Sequence, residues 1–340
     1  RLAAVMVMRE FLCAGRWLGL MLAVVAALPA ASYKGAIVVD TATGQTLFEE
    51  NADVVTPPAS VTKLMTFLLV HEEIASGRLE LTTPVTVTAE AARMGGSQVY
   101  LAENEVFTVE DLLYALMVSS ANDAAEALAT RAGGSREAFV ARMNERAREI
   151  GMTRTTFRTP HGLPPSNRRI EDGDLTTPRD LALLSRHLIG KTDVLRYSSV
   201  KDRTFRPGPK QIDMRNHNNL LGKVAGVDGL KTGFTRGAGF CLAATAQRNG
   251  RRLIAVTMGS PQSQVRDLEM ADLFEKAFAN LPPVPTIVPT GVEPPLPASA
   301  PVAAPFPAKQ DEPPTPAPAA AAEGDDSIPA VRFVMPARKS

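Results

Sequence analysis

Residues 228–258 read DGLKTGFTRGAGFCLAATAQRNGRRLIAVTM. Three β-rich runs lie in this stretch: Asp228 to Lys231, Gly239 to Ala246 and Arg252 to Met258. The last two are separated by Gln247-Arg248-Asn249-Gly250, and an Asn-Gly pair accepts the positive φ angles of a tight hairpin turn. Short links join antiparallel neighbours, whereas parallel strands need a long crossover. The stretch therefore predicts an antiparallel sheet and not a doubly wound parallel one.

The other end of the chain reads the same way. Gly35 to Asp40 (GAIVVD) is β-rich, Thr43-Gly44 turns the chain, and Gln45 to Glu49 returns it. The middle is mostly helical. A long apolar-periodic run starts at Ser60 (SVTKLMTFLLVHEEIASG), with Leu64, Phe67, Leu68 and Ile74 on its buried face and Gly77 at its end. Thr82 to Thr88 predicts a short strand. Thr108 caps a helix to Val118, with Asp111 three residues on in the place of a capping-box glutamate. Further helices are expected over Asp123 to Ala132, Ser135 to Ile150, Pro178 to Leu188 with Thr177 as cap, and Leu268 to Phe278. The expected class is α/β in the α+β sense. One sheet is shared by distant parts of the chain, and a helical insertion stands beside it.

Composition narrows the functional classes. The chain has 340 residues, 45% hydrophobic and 21% charged, as a globular protein does. The 37 basic residues nearly balance 36 acidic ones, so there is no basic excess of the kind a nucleic-acid reader carries. Two cysteines and four histidines exclude a disulfide framework and a Cys-cluster zinc site. No metal and no cofactor is expected.

Both termini differ from the body. Arg9 and Arg16 precede WLGLMLAVVAALPAA, Trp17 to Ala31, a basic flank followed by a short apolar run ending in small residues. These are the parts of a secretory signal, and 15 residues are too few for an ordinary membrane span. Residues 1–31 are therefore read as a signal or N-terminal hydrophobic segment, cut near Ala30 to Ser32; a buried N-terminal helix is the alternative. Export places the mature chain in an oxidising compartment. Cys13 would leave with the signal, and Cys241, inside the apolar strand GFCLAATA, is read as a buried inert thiol. At the other end, 16 of the 27 prolines follow Asn280. Residues 282–340 are expected to form a Pro/Ala-rich tail with no ordinary core.

Three short patterns carry the chemistry. Ser60 and Lys63 are three apart, which puts both side chains on one helix face. A serine at a helix start sits among unpaired N–H groups, and a neutral lysine one turn on can take its proton. Alone, S-x-x-K is common and fits a cap followed by a solvated lysine. Ser120-Ala121-Asn122 and Lys231-Thr232-Gly233 follow in the order expected of penicillin-interactive serine enzymes, S-x-x-K, S-x-N and K-T-G. His161, His217 and Asn216 are read as structural, and Asp172 and Asp174 as an acidic surface turn.

The longer stretches PPASVTKLMT (57–66), MVSSANDAA (117–125), HGL (161–163), NHNNLL (216–221) and GVDGLKTGFT (226–235) resemble the low-molecular-mass penicillin-binding proteins, the serine-type D-alanyl-D-alanine carboxypeptidases of peptidase family S11. The resemblance covers roughly Ser32 to Leu281. It implies a β-lactamase/transpeptidase-like fold whose helical subdomain carries the S-x-N motif. Ser60 would be the acylated nucleophile and Lys63 the base. Ser120 would hydrogen-bond into that pair and relay a proton. Asn122 would orient Lys63 and the substrate amide. Lys231, Thr232 and Arg266 would receive the terminal carboxylate, Gly233 would leave room for the substrate backbone, and the N–H groups of Ser60 and Phe234 would form the oxyanion hole. The implied partners are peptidoglycan stem peptides ending in D-Ala-D-Ala, with β-lactams as covalent inhibitors. The implied place is the periplasm, with peripheral attachment to the inner membrane if the signal segment is retained. A second, β-rich domain common in relatives has no counterpart expected after Leu281. Endopeptidase, β-lactamase and non-catalytic scaffold are the rival readings; the glutamate pattern E-x-x-L-N of the similar β-lactamases does not occur after Ala132.

Overall fold

The computed structural model describes residues 32–206 and 208–281. The expected signal segment, Cys13 and the proline-rich tail lie outside the described residues. Nine strands are present among them: β1 (Gly35–Asp40), β2 (Thr46–Glu50), β3 (Pro84–Thr86), β4 (Val106–Thr108), β5 (Asp202–Phe205), β6 (Ile212–Arg215), β7 (Val227–Thr235), β8 (Gly239–Arg248) and β9 (Arg251–Ser260). Eight α-helices accompany them: α1 (Lys63–Ala75), α2 (Ala89–Ala92), α3 (Val109–Val118), α4 (Asn122–Gly133), α5 (Arg136–Glu149), α6 (Pro178–Lys191), α7 (Val194–Ser198) and α8 (Ser263–Ala279).

The main sheet has the order β2-β1-β9-β8-β7 and every pairing in it is antiparallel. Distant parts of the described residues, 35–50 and 227–260, thus build one sheet, as the sequence predicts. The β8–β9 turn pairs Arg248 with Arg251, with Asn249 and Gly250 at φ 48 and 77, the conformation an Asn-Gly turn is suited to. β1 is buried on both sides, which explains its unbroken apolar reading. Ile37 and Val39 join a core with Leu64, Phe67 and Leu68 of α1, while Ala36 and Val38 join a second core with Met270, Leu273 and Phe274 of α8. The mixed α/β architecture, an antiparallel sheet between helical layers, is the fold the sequence implied.

The helix caps follow local chemistry. Thr108 Oγ1 accepts from Asp111 N at 3.1 Å and donates to its carboxylate at 2.6 Å. Thr177 and Ser135 cap α6 and α5 in the same way, each accepting at 3.1 Å from the N–H three residues on.

Several boundaries move. Ser60 is not in the α-helix: a 3₁₀ turn over Ala59–Thr62 leads into α1 at Lys63. The expected strand from Thr82 to Thr88 shortens to β3, and its partner β4 lay unread before the Thr108 cap. The Asp228 run extends to Thr235, so the whole K-T-G triplet lies within β7. Helix α8 starts at Ser263, five residues earlier than Leu268, and so includes Arg266. The β5–β6 hairpin was not legible in sequence. Only Phe205, Met214 and Ile212 in it meet the core, and its two four-residue strands are too short to show a period.

Candidate active site

Residues from four distant stretches line one cleft of about 510 Å3: Ser60, Ser120, Thr232, Gly233, Phe234 and Arg266 all face it. The 3₁₀ turn supplies Ser60, the α3–α4 turn supplies Ser120, the edge strand β7 supplies Thr232, Gly233 and Phe234, and α8 supplies Arg266. Ala59 and Ser120 hold φ angles of 50 and 58, left-handed values that cost a non-glycine residue about 1–3 kcal/mol. Such strain is kept only where the surroundings enforce it.

Lys63 is fully buried and makes three hydrogen bonds from Nζ: to Ser60 Oγ at 3.0 Å, Asn122 Oδ1 at 2.7 Å and the His161 carbonyl at 2.7 Å. Two of these partners are carbonyl oxygens and can only accept. A neutral amine would donate its two N–H groups to them and turn its lone pair to the Ser60 hydroxyl, which then donates. Burial pushes the Lys63 pKa well below its ordinary value, and the nearby Lys231 ammonium pushes it the same way. The Asp174 and Asp123 carboxylates pull the other way, but neither forms an ion pair with Lys63 among the described residues, and burial outweighs them.

Lys231 is also buried, its pKa lowered to about 7 by burial and then by the Arg266 guanidinium. Its Nζ donates to the Thr232 carbonyl at 2.9 Å. Arg266 is buried in the first turn of α8, where Nε and Nη2 donate to Asp267 Oδ1 at 2.9 and 2.6 Å. The cleft therefore concentrates cationic side chains next to the Ser60 hydroxyl. Gly233 is required by space: a Cβ there would lie 2.6 Å from the Pro58 carbonyl and 3.0 Å from Ser60 N. The backbone of β7 thus runs directly past the backbone nitrogen of Ser60, with exposed Phe234 next in line.

One expected contact differs. The Ser120 side chain makes no hydrogen bond to Ser60 or Lys63; it faces the cleft, and Asn122 and the His161 carbonyl fill the places beside Nζ. Asn122 holds Lys63 through Oδ1, and one N–H of its Nδ2 donates to the Gly95 carbonyl at 2.7 Å. His161 is structural, as expected. Its Nδ1 accepts from Leu163 N at 3.1 Å, and burial with the Lys63 and Arg136 charges lowers its pKa to about 3. His217, in contrast, does not fix its turn; it lines the cleft. Asn216 and Asn218 do that work, with Asn216 Nδ2 on the Ser198 and Val200 carbonyls and Asn218 Nδ2 on that of Gly229. Cys241 is buried in β8 and its thiol pKa is raised to about 11 by burial, in keeping with an inert role.

Sequence reading missed two supports. The first is the loop Gly95–Ser97: the Ser97 carbonyl accepts from Asn122 N at 2.8 Å, and a Cβ on Gly96 would come within 2.7 Å of Asn122 Nδ2. The Gly-Gly pair was its only signal. The second is Asp174, read as a surface residue but buried, unlike exposed Asp172. Its carboxylate accepts from Arg158 N (2.6 Å), Thr159 N (2.9 Å), Thr159 Oγ1 (2.8 Å) and Thr62 Oγ1 (3.1 Å). It thereby ties the segment before His161 to the turn before Lys63. Asp174→Ala strips the acceptor from four donors and is expected to cost about 2–4 kcal/mol of stability. Urea denaturation measures this, and a loss under about 1 kcal/mol would contradict the network.

A family model described as D-alanyl-D-alanine carboxypeptidase, peptidase S11, matches residues 23–262. The chain belongs to this family. Among S11 relatives, the D-alanyl-D-alanine carboxypeptidase DacF of Bacillus subtilis is 33% identical over 247 residues, 72% of this chain and 62% of that protein. The chain spans about 62% of the length of the first curated relatives it matches. Penicillin binding protein 5 from Haemophilus influenzae superposes with a TM-score of 0.68 at 35% identity, covering 74% of this chain and 72% of that one. Penicillin-Binding Protein D2 from Listeria monocytogenes, solved in an ampicillin-bound form, gives 0.65 at 35% identity, covering 73% and 97%. The S11 motifs S-x-x-K, S-x-N and K-T-G are the three segments that meet at the cleft.

Proposed function

We propose that this chain is a serine-type D-alanyl-D-alanine carboxypeptidase that removes the terminal D-alanine of peptidoglycan pentapeptide stems through an acyl-enzyme on Ser60. The observation that carries the reading is Lys63 Nζ at 3.0 Å from Ser60 Oγ, with carbonyl oxygens as its other two partners. Ser60 Oγ attacks the carbonyl of the penultimate D-alanine as its proton passes to Lys63. The backbone N–H groups of Ser60 and Phe234 receive the developing oxyanion. Lys231, Thr232 and Arg266 hold the terminal carboxylate. Ser120, with no side-chain partner among the described residues, passes a proton to the leaving amine. Free D-alanine departs, and water activated by Lys63 cleaves the Ser60 ester to release the shortened peptide.

β-Lactams carry a carboxylate beside a reactive amide and fit the same places, a reading supported by the ampicillin-bound Listeria relative. No acidic side chain bonds to Ser60 or Lys63 among the described residues, which favours slow release of the drug over β-lactamase turnover. The N-terminal basic and apolar segment supports an exported, periplasmic enzyme, attached to the inner membrane if that segment is retained.

The test is D-alanine release from a pentapeptide stem, run beside cleavage of cross-linked dimers. Fluorescent penicillin should label the parent and not Ser60→Ala. Absence of both release and labelling would return the chain to a scaffold role, and faster cross-link cleavage would make it an endopeptidase.

A pH prediction follows from Lys231. Its cation is present below about pH 7 and is lost above it. For a carboxylate-ended substrate, kcat/KM should therefore fall as pH rises through about 7, because kcat/KM reports the free enzyme. Lys231→Arg keeps its charge and should move that descending limb above pH ~10. An unmoved limb would remove Lys231 as its source.

A further inference from the structure

Two buried polar atoms near Lys63 are left without a use. Glu126 Oε2 and His161 Nε2 have no hydrogen-bond partner among the described residues, and they face each other across 3.9 Å. Both side chains are buried. A carboxylate oxygen and a ring nitrogen seldom stay unpaired in such surroundings, so the gap between them calls for an explanation.

The chemistry fixes where the ring proton points. His161 Nδ1 accepts from Leu163 N at 3.1 Å, and burial with the Lys63 and Arg136 charges keeps the ring neutral. Its one proton therefore sits on Nε2, on the side of Glu126. The other oxygen of Glu126 is already held, because Oε1 accepts from Arg136 Nε at 2.8 Å. Arg136 is partly exposed and reaches Met94 Sδ with Nη2 at 3.8 Å. The carboxylate is thus anchored through one oxygen and offers the second to the ring.

The place of Glu126 on α4 gives this contact its meaning. Glu126 lies four residues after Asn122, one turn along the same helix face. Asn122 Oδ1 is one of the two carbonyl oxygens that hold Lys63 Nζ, and the His161 carbonyl is the other, each at 2.7 Å. One helix face therefore governs both. Asn122 touches the amine itself, and Glu126 faces the ring of the residue whose main chain does.

We infer that Glu126 is a positioning residue for the general base: its Oε2 takes the Nε2 hydrogen bond of His161 and so fixes the carbonyl that turns the Lys63 lone pair toward Ser60. The closure required is about 1 Å, and hydrogen bonds of this kind are often long in a free enzyme and tighten when substrate binds. Glu126 does not line the cleft, so its effect falls on the chemical step and not on binding. The inference rests on the acyl-enzyme reading and adds a support for its base.

Stopped-flow acylation by a fluorescent penicillin, run over a range of concentrations, separates the acylation rate constant from the binding constant. Glu126→Leu should lower the rate constant about thirtyfold and leave the binding constant within about twofold, because a small misplacement of a reacting group is that costly. Glu126→Gln keeps an oxygen for His161 Nε2 while Arg136 turns to solvent, and should stay within about threefold of the parent. In a His161→Phe background the leucine substitution should have no further effect. A folded leucine variant that acylates at the parent rate overturns the proposal. So does an equal loss in both backgrounds, or a glutamine variant as slow as the leucine one. NMR of the parent reads His161 directly, whether or not any variant folds: the ring proton should sit on Nε2 with the downfield shift of a charge-assisted hydrogen bond. A proton on Nδ1, or an Nε2 proton without that shift, also overturns it. A parent that penicillin does not acylate at all would instead sink the acyl-enzyme reading.

Discussion

Lys63→Met is expected to reduce acylation of Ser60 by roughly a thousandfold or more, the range a positioned general base supplies. The substitution keeps an unbranched side chain, one atom shorter, and removes the basic amine. Stability should change by only about 1–2 kcal/mol, because a desolvated amine is lost together with its bonds to the Asn122 and His161 carbonyls. Lys63→Arg sharpens the result. It restores a cation but not a group that can lose its proton near neutrality, so it should be as inactive as Met. Stopped-flow acylation by a fluorescent penicillin measures both variants. Near-parent rates in the arginine variant would show that Lys63 contributes charge and not proton transfer.

The second large effect is structural. Gly162 holds φ at 84, and a Cβ placed there would lie 1.9 Å from the Ala59 carbonyl. The approach matters because Gly162 follows His161, whose carbonyl holds Lys63, and Ala59 precedes Ser60. Gly162→Ala therefore forces apart the two backbones that fix the nucleophile and its base. The clash with main chain, added to left-handed strain, should cost about 4 kcal/mol or more. That corresponds to a fall in thermal midpoint of roughly 8–16 °C for a domain of this size. Calorimetry reads it directly, and a shift under about 3 °C would mean that the two segments separate without resistance.

The legible and illegible parts of this site divide on a physical line. Ser60, Lys63, Asn122 and Lys231 could be found because their chemistry survives in the one-dimensional text: few other residue types do the same work at that spacing. The sheet was legible because β8 and β9 are joined by a turn whose Asn-Gly pair announces itself. Asp174 was not legible, since an aspartate beside a glycine looks the same whether its four donors come from remote backbone or from water. The Gly95–Ser97 loop was hidden for the same reason: its role is to place carbonyl oxygens, and every residue has one. The 3₁₀ turn under Ser60 escaped because helix periodicity does not distinguish one tight turn from the helix it feeds.

The placement of β1 has a consequence for biogenesis. This strand, among the first made of the described residues, sits between β2 and β9, pairing Val38 with Ala255. A ribosome must translate more than two hundred further codons before β9 can join it. Until then only a two-stranded hairpin is available, and such a hairpin is marginal in water. The nascent polypeptide should therefore stay open to chaperones and to threading in an extended form, with cooperative collapse waiting on the arrival of residues 251–260.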